Sequence, residues 1–129
     1  MNIPKHLYFI LTGFMLLAFA SCRHDNLDIT PYKSVCFENE VKPIFVASCA
    51  ISGCHNSGTA EAGFVFEDYT GISKAVSPGD PLKSKAYQVI TNEWVNLMPP
   101  DKPLTEKQRI TIRLWIEQGA NQDSCFMEN

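Results

Sequence analysis

Two cysteines and a histidine stand close together in the middle of the chain, in the order Cys49, Cys54 and His55. The stretch from Ile51 to Ala62, which holds two of them, is rich in Gly, Ser, Asn and Thr and has no apolar periodicity. Such a stretch has little hydrophobic surface of its own to bury. We therefore expect a loop wrapped closely round something other than its own side chains.

The residue types in this segment suit covalent attachment of haem. The usual signature is a pair of cysteines separated by two residues and followed by histidine, and here the gap is four residues. Two thiols can add to the two vinyl groups of haem, and the adjacent imidazole can bind the iron. Three other interpretations stay open: a small disulfide loop, a structural zinc site with a further ligand, and an ordinary surface position for His55.

The first residues have the pattern of an export signal. Lys5 gives a positive start, an almost wholly apolar run extends from Leu7 to Ala18, and small residues precede Cys22. The end of this run resembles a bacterial lipobox, although Phe19 stands where an aliphatic residue is usual. We expect residues 1–21 to be a lipoprotein signal peptide and Cys22 to be lipidated, with plain secretion or an uncleaved anchor as alternatives.

The segment after the signal is polar and lacks apolar periodicity, so we expect residues 22–34 to form a flexible tether. The formal net charge of the chain is -3. Nucleic-acid binding needs a concentration of positive charge, which this composition does not offer. We therefore expect no nucleic-acid partner.

The first helix of the domain is predicted by a stripe of apolar side chains at helical spacing. The stripe consists of Phe37, Val41, Ile44 and Phe45. The helix should end near Ser48. Pro43 removes a backbone donor, so either the regular helix begins near Glu40 or it bends at the proline.

Two further helices have recognisable beginnings. Asp80 suits an N-cap and is followed by proline at the first helical position, which predicts a helix over residues 81–92. Thr105 and Gln108 have the spacing of a capping box at the start of the last helix, which Gly119 ends. Aromatic residues of these segments, including Tyr87, Trp94 and Trp115, are expected to be buried.

Between the first two helices, residues 63–69 predict at most a short extended piece with Phe64, Phe66 or Tyr69 turned inward. The result is three or more helices joined by long irregular loops. Such loops are uncommon in a small domain unless they serve a function, and a bound prosthetic group would supply the missing core.

Met98 offers a possible second ligand for a haem iron. It is flanked by Leu97 and by two prolines, so its thioether lies on a stiff loop. Iron bound by one histidine has either an open position or a second ligand. A methionine in a loop is more often a packing residue, so the residues alone leave both roles open.

The chain from about Cys36 to Cys125 resembles the small cytochrome c domains of bacterial lipoproteins, which are related to planctomycete-type cytochromes. The matching residues are Val41-Lys-Pro-Ile-Phe45, Cys49 through His55, Pro78-Gly-Asp-Pro81 with Ser84, Met98-Pro-Pro100, Leu104-Thr105 and Trp115-Ile-Glu-Gln-Gly-Ala120. This resemblance implies an all-α, cytochrome c-like domain over residues 35–125, followed by a short tail, 126–129.

The same resemblance implies one covalent haem c, held by Cys49 and Cys54. His55 would be the proximal iron ligand, and Met98 maps onto the methionine that serves as distal ligand. In this fold the first and last helices cross and pack, with haem between them and the methionine loop. No proline carbonyl lies near His55 to orient it, so the partner of its second ring nitrogen is left open.

Cys36 and Cys125 lie just before the first helix and just after the last in the implied fold. Because those helices touch there, the resemblance makes a disulfide between the two cysteines natural. On the chain-entropy model, closing a loop of about 90 residues would gain roughly 4 to 5 kcal/mol, less any strain. The alternative is two free thiols, which an oxidising compartment disfavours.

Iron bound by His and Met on its two faces has no vacant position, which favours electron transfer over catalysis. We expect a one-electron carrier, not an enzyme, that is anchored in the membrane by its lipid and exchanges electrons with redox proteins of the cell envelope. Two alternatives stay open. One is a haem protein whose sixth position binds peroxide or a small gas, and the other is a surface lipoprotein whose cysteines form disulfides or hold zinc.

Overall fold

The computed structural model describes residues 33–92, 97–123 and 125. These residues form helices and no strand, which confirms the predicted all-α class. The α-helices are α1 (Lys42–Ser48), α2 (Tyr69–Ser73), α3 (Lys85–Thr91) and α4 (Glu106–Glu117). A π-helical turn (Phe37–Val41) precedes α1, and single 3-10 turns lie at Glu61–Gly63 and Pro81–Lys83. In the residues described, none of the helices is both long and apolar enough to span a membrane.

Several predicted features lie outside the described residues. They are the signal peptide, the lipidated Cys22, most of the tether, Trp94 and the tail after Cys125.

The first helix begins later than the apolar stripe suggests. Regular α geometry starts at Lys42, and Pro43 occupies the first turn, where a missing N–H costs no hydrogen bond. The preceding residues form the π turn, which an ion pair between Glu38 and Lys42 at 2.8 Å spans on its outer side. The regular helix therefore begins close to Glu40, in line with the first of the two alternatives that the sequence left open.

The helix predicted over residues 81–92 is divided in two. Asp80 caps only the 3-10 turn, by accepting a hydrogen bond from the Lys83 N–H. Ser84 then takes an extended conformation, and its fully buried hydroxyl accepts from the Ser77 N–H and donates to the Asp80 carbonyl, both at 2.9 Å. This local bonding competes with a continuous helix, so α3 begins at Lys85.

The short helix α2 follows directly after the segment predicted to be extended, shares only Tyr69 with it, and was not predicted from the sequence. Asp68 caps it by accepting from the Gly71 N–H at 2.8 Å. Phe66, just before the cap, is turned inward and buried as expected. A helix of five residues is too short to show apolar periodicity, which is why the sequence did not reveal it.

The last helix forms as predicted. The side chains of Thr105 and Gln108 bond reciprocally to each other's backbone N–H groups as a capping box. The helix runs to Glu117, and Gly119 follows it with a φ of +97°, a conformation that glycine adopts without strain.

The two ends of the domain meet in an aromatic cluster. The ring of Phe37, in the π turn, lies 5.4 Å from that of Trp115, in α4, and 5.2 Å from that of Tyr69. Phe37 and Trp115 are fully buried. The polar groups of the cluster both have hydrogen-bond partners. The Tyr69 hydroxyl donates to the Ala120 carbonyl, and the Trp115 indole N–H donates to the Asn121 carbonyl.

A disulfide joins Cys36 to Cys125 beside this cluster and closes a loop with a sequence separation of 89. Two hydrogen bonds from α4's end support the same junction. The Gln118 side chain accepts from the Val35 N–H at 2.9 Å and donates to the Lys33 carbonyl at 3.3 Å. The first described residue, Lys33, is thus already hydrogen-bonded to the end of the last helix.

Replacement of Gly71 by Ala should destabilise the protein by about 1–3 kcal/mol, because overpacking cannot be relieved without moving backbone. A Cβ at this position would lie 1.9 Å from the Val65 carbonyl oxygen. Gly58→Ala is the matched control, since its Cβ would have an ordinary contact at 3.7 Å. Urea unfolding of both variants checks the prediction, and equal midpoints would contradict it.

Candidate functional site

An apolar cavity of about 210 Å³ lies between α1, the loop that follows it and α3. Most of its wall is hydrocarbon and aromatic carbon. The apolar lining residues are Phe45, Ala62, Phe64, Phe66, Ala75, Ala86, Val89 and Ile90. Three of the residues singled out in the sequence, Cys49, His55 and Met98, also line this cavity. Residues far apart in the chain therefore converge on one apolar space.

A second cavity of about 210 Å³ adjoins the first, because Cys49, His55 and Met98 line both. The second cavity adds Cys54, and its other lining includes Glu61 and the two prolines after Met98. The four residues that the sequence associated with haem are thus brought together.

Two contacts fix the position of the His55 ring. Its Nδ1 lies 3.3 Å from the Phe64 carbonyl oxygen, and its ring centroid lies 4.7 Å from that of Phe66. When Nδ1 carries the proton, it donates to this carbonyl and leaves Nε2 as the metal-binding nitrogen. Metal-ligating histidines commonly have such a partner. The sequence could not show it, because the carbonyl belongs to a phenylalanine in a loop.

Backbone hydrogen bonds fix the loop around His55. Its N–H donates to the Cys49 carbonyl at 3.0 Å, and its own carbonyl accepts from the Phe66 N–H at 2.8 Å. The Glu61 N–H donates to the Cys54 carbonyl at 3.0 Å. A turn with Gly53 at a φ of +82° joins the two cysteines. The order of this loop therefore comes from its backbone, in agreement with its lack of apolar periodicity.

Met98 is fastened to the other wall of the cavity. Its N–H donates to the carbonyl of Val89, in α3, at 2.8 Å. Its side chain is half-buried and borders both cavities. The proline-flanked loop thus carries the thioether to the same space as the His55 ring.

Cys49 and Cys54 are both free thiols. Burial, and to a lesser extent the charge of Cys54, raises the pKa of Cys49 to about 11, so this thiol is neutral at physiological pH. The small disulfide loop considered from the sequence is not formed. Across the described residues, no three His, Cys, Asp or Glu side chains group as a metal site.

The cavity differs in one respect from the expected arrangement. Its walls come from α1 and α3, and none of its described lining residues belongs to α4. The reason is that α4 directs Trp115 to Phe37 and Tyr69 and so uses its apolar face in the aromatic cluster. Of the aromatic residues considered from the sequence, Phe64 borders the cavity, whereas Trp115 does not.

The contribution of α3 to the site was not predicted from the sequence. Ala86, Val89 and Ile90 stand at i, i+3 and i+4 and present one apolar stripe to the cavity. Their spacing was visible in the sequence, but nothing local showed which surface they would meet. Lys85, at the start of the same helix, also lines the cavity and was not identified.

Residues 52–102 match the model of a protein family described as Planctomycete cytochrome C. This chain is related to the planctomycete-type cytochromes c. The match includes Cys54, His55 and Met98, and it begins after Cys49 and ends before α4. It covers less than half of the chain. Comparisons with curated proteins and with solved structures gave no match.

The relationship supports a haem-binding cytochrome at the level of the family. The residues present fit the haem c that such a family implies. Two free thiols, an imidazole whose Nδ1 is engaged and a thioether border one apolar space. This donor set matches the covalent and axial bonds that haem c requires.

The two thiols of the haem-free protein should react at different rates with iodoacetamide at pH 8. Cys49 is only 8% exposed and has a pKa of about 11, so its alkylation should be slower than that of Cys54 by about tenfold or more. Peptide mapping by mass spectrometry over time measures both rates. In denaturant the rates should converge, and equal rates in the folded protein would contradict the burial of Cys49.

Proposed function

We propose that this protein is a monohaem c-type cytochrome that carries single electrons at the bacterial cell envelope. The observation that supports this proposal best is the convergence of Cys49, Cys54, His55 and Met98 on adjoining cavities of mainly apolar lining. Haem, when bound, supplies a one-electron ferric and ferrous couple. The protein's part is to hold, orient and shield it.

Each residue has a distinct role in this proposal. The thiols of Cys49 and Cys54 would hold the haem covalently through its vinyl groups, and His55 would bind the iron through Nε2 while the Phe64 carbonyl fixes its ring. Met98 would supply a second iron ligand through its sulfur. A thioether raises the reduction potential relative to a second imidazole.

The cavity wall contributes to electron transfer by excluding water. Phe45, Phe66 and Ile90 are buried and line the first cavity, so little solvent would need to reorganise when the charge of the iron changes. With both iron faces taken by protein side chains, the chain acts as a carrier and not as an enzyme.

The proposed location rests on the sequence. Residues 1–21 act as a signal peptide, Cys22 carries the lipid, and residues 22–34 connect it to the haem domain. The partners are redox proteins of the envelope, within reach of a membrane-anchored domain.

Covalent haem is the decisive test. The protein, expressed with the c-type maturation machinery, should give a haem-stained band on a denaturing gel, because a thioether-linked haem survives denaturation. The double variant Cys49→Ser/Cys54→Ser should give no stained band. The matched control, Cys36→Ser/Cys125→Ser, also removes two cysteines but should keep its haem, since its cysteines form the disulfide. A colourless wild-type band would refute the proposal.

Replacement of Met98 by Ala should leave haem attached and open the sixth position. The ferric variant should lose the weak thioether-to-iron absorption band at the red end of the spectrum and bind added imidazole more readily. The ferrous variant should bind carbon monoxide more readily, and the reduction potential should be lower. Met127→Ala is the matched methionine control. Unchanged spectra and ligand binding in Met98→Ala would exclude Met98 as the ligand and favour an already open site for peroxide or a small gas.

A further inference from the structure

Lys85 is the one charged side chain among the described residues that line the first cavity. Its Nζ lies 5.2 Å from the centroid of the Phe64 ring, so the ammonium group is drawn to the aromatic wall. By contrast, Lys42 and Lys83 each form an ion pair within the chain, with Glu38 and Asp80.

No described acidic residue lies within ion-pair distance of Lys85. A cation at the border of an apolar cavity, attached to an aromatic ring and without a carboxylate partner in the described chain, is placed to receive an anion. The anion would have to enter the cavity or lie at its mouth.

The proposed cofactor carries anions of this kind. Haem has two propionate groups on the edge of the macrocycle opposite to its vinyl groups. On the proposed function, the vinyl edge is fixed at Cys49 and Cys54. Of these two cavities, Cys54 lines only the second and Lys85 only the first, whereas Cys49 borders both, so Cys54 and Lys85 lie in different parts of the site.

We propose that Lys85 binds a haem propionate and thereby raises the reduction potential of the haem. This inference rests on the proposed function. The ammonium group donates hydrogen bonds to a propionate oxygen and partly neutralises its charge. Because ferrous haem carries one positive charge fewer than ferric haem, a nearby cation favours the reduced state.

The contact with Phe64 connects this role to the axial ligand. Lys85 lies against the Phe64 ring, and the carbonyl of the same residue accepts from His55 Nδ1. Lys85 is therefore a positioning residue as well as a charge, and an experiment must separate these two effects. Substitution by methionine removes the charge and keeps most of the aliphatic length, whereas substitution by arginine keeps the charge.

The test is a spectroelectrochemical titration of the haem-loaded protein and three variants. At a fixed applied potential, Lys85→Met should lower the ratio of ferrous to ferric protein by about twofold to tenfold, as expected for loss of one charge near a partly exposed site. Lys85→Arg should stay within about twofold of wild type. The control Lys83→Met removes the same charge two residues away, from a side chain that is 80% exposed, and its smaller effect should disappear at high salt.

A second measurement detects the carboxylate directly. Reduced-minus-oxidised infrared difference spectra report the carboxylate stretches of the propionates, and these bands should move in Lys85→Met and not in Lys83→Met. A purely structural role through Phe64 would leave them in place.

The outcomes are distinguishable. Two results would overturn the inference and leave the proposed function intact. One is an equal ratio of ferrous to ferric protein in Lys85→Met and Lys83→Met, and the other is propionate bands that do not move in Lys85→Met. Absence of covalent haem from the wild-type protein would overturn the proposed function and the inference together.

Discussion

The packing of Phe37 on Trp115 brings the beginning and the end of the domain together, and the remaining elements are arranged around this contact. Both side chains are fully buried, and Tyr69 completes the cluster. Large aromatic side chains contribute much of the apolar burial in a domain of this size. The disulfide between Cys36 and Cys125 fastens the same junction covalently. Between these two fixed ends the chain forms the loops and short helices whose residues line the first cavity.

The position of this aromatic cluster explains where the site lies. The apolar face of the last helix packs in the aromatic cluster, so residues of α1 and α3 line the cavity instead. Helix α3 is placed by polar contacts: the Ala86 N–H donates to the Ala75 carbonyl, and the buried Ser84 hydroxyl holds the preceding turn. The Gly79 N–H in that turn donates to the Ile116 carbonyl at 2.7 Å, which links the turn to α4. The last helix therefore supports the site without lining it.

The site combines apolar walls with very few charges. Lys85 is the charged member of the first cavity's described lining and Glu61 that of the second. Both residues are exposed to solvent where they border these cavities, so their charges are partly screened. A redox centre in such a place has its potential set by a small number of identifiable groups: the axial ligands, the partner of the histidine and the nearest cation.

Local chemistry in the sequence was enough to predict the capping box at Thr105 and to single out the Cys54-His55 pair, whereas the all-α class was implied by the resemblance to cytochrome c domains. These features depend on neighbours in the chain: a threonine caps a helix three residues ahead, and Cys54 stands directly before His55. The division of the helix at Ser84 could not be foreseen, since the hydroxyl's partners are backbone groups of a turn whose shape is not written in its residue types. The same holds for α2, whose five residues are too few for periodicity.

The sequence by itself determined which side chains could bind haem and that the loop carrying them lacks a core of its own. Only the tertiary structure decided that Met98 meets His55 across one space, that the Phe64 carbonyl holds the imidazole, and that α3 and Lys85 form the facing wall. The physical reason is the distance along the chain between the residues that interact. Residue type and spacing specify bonds within a few residues, whereas the cavity forms where side chains of α1, the loop after it and α3 line one space, while Phe37 packs on Trp115 elsewhere.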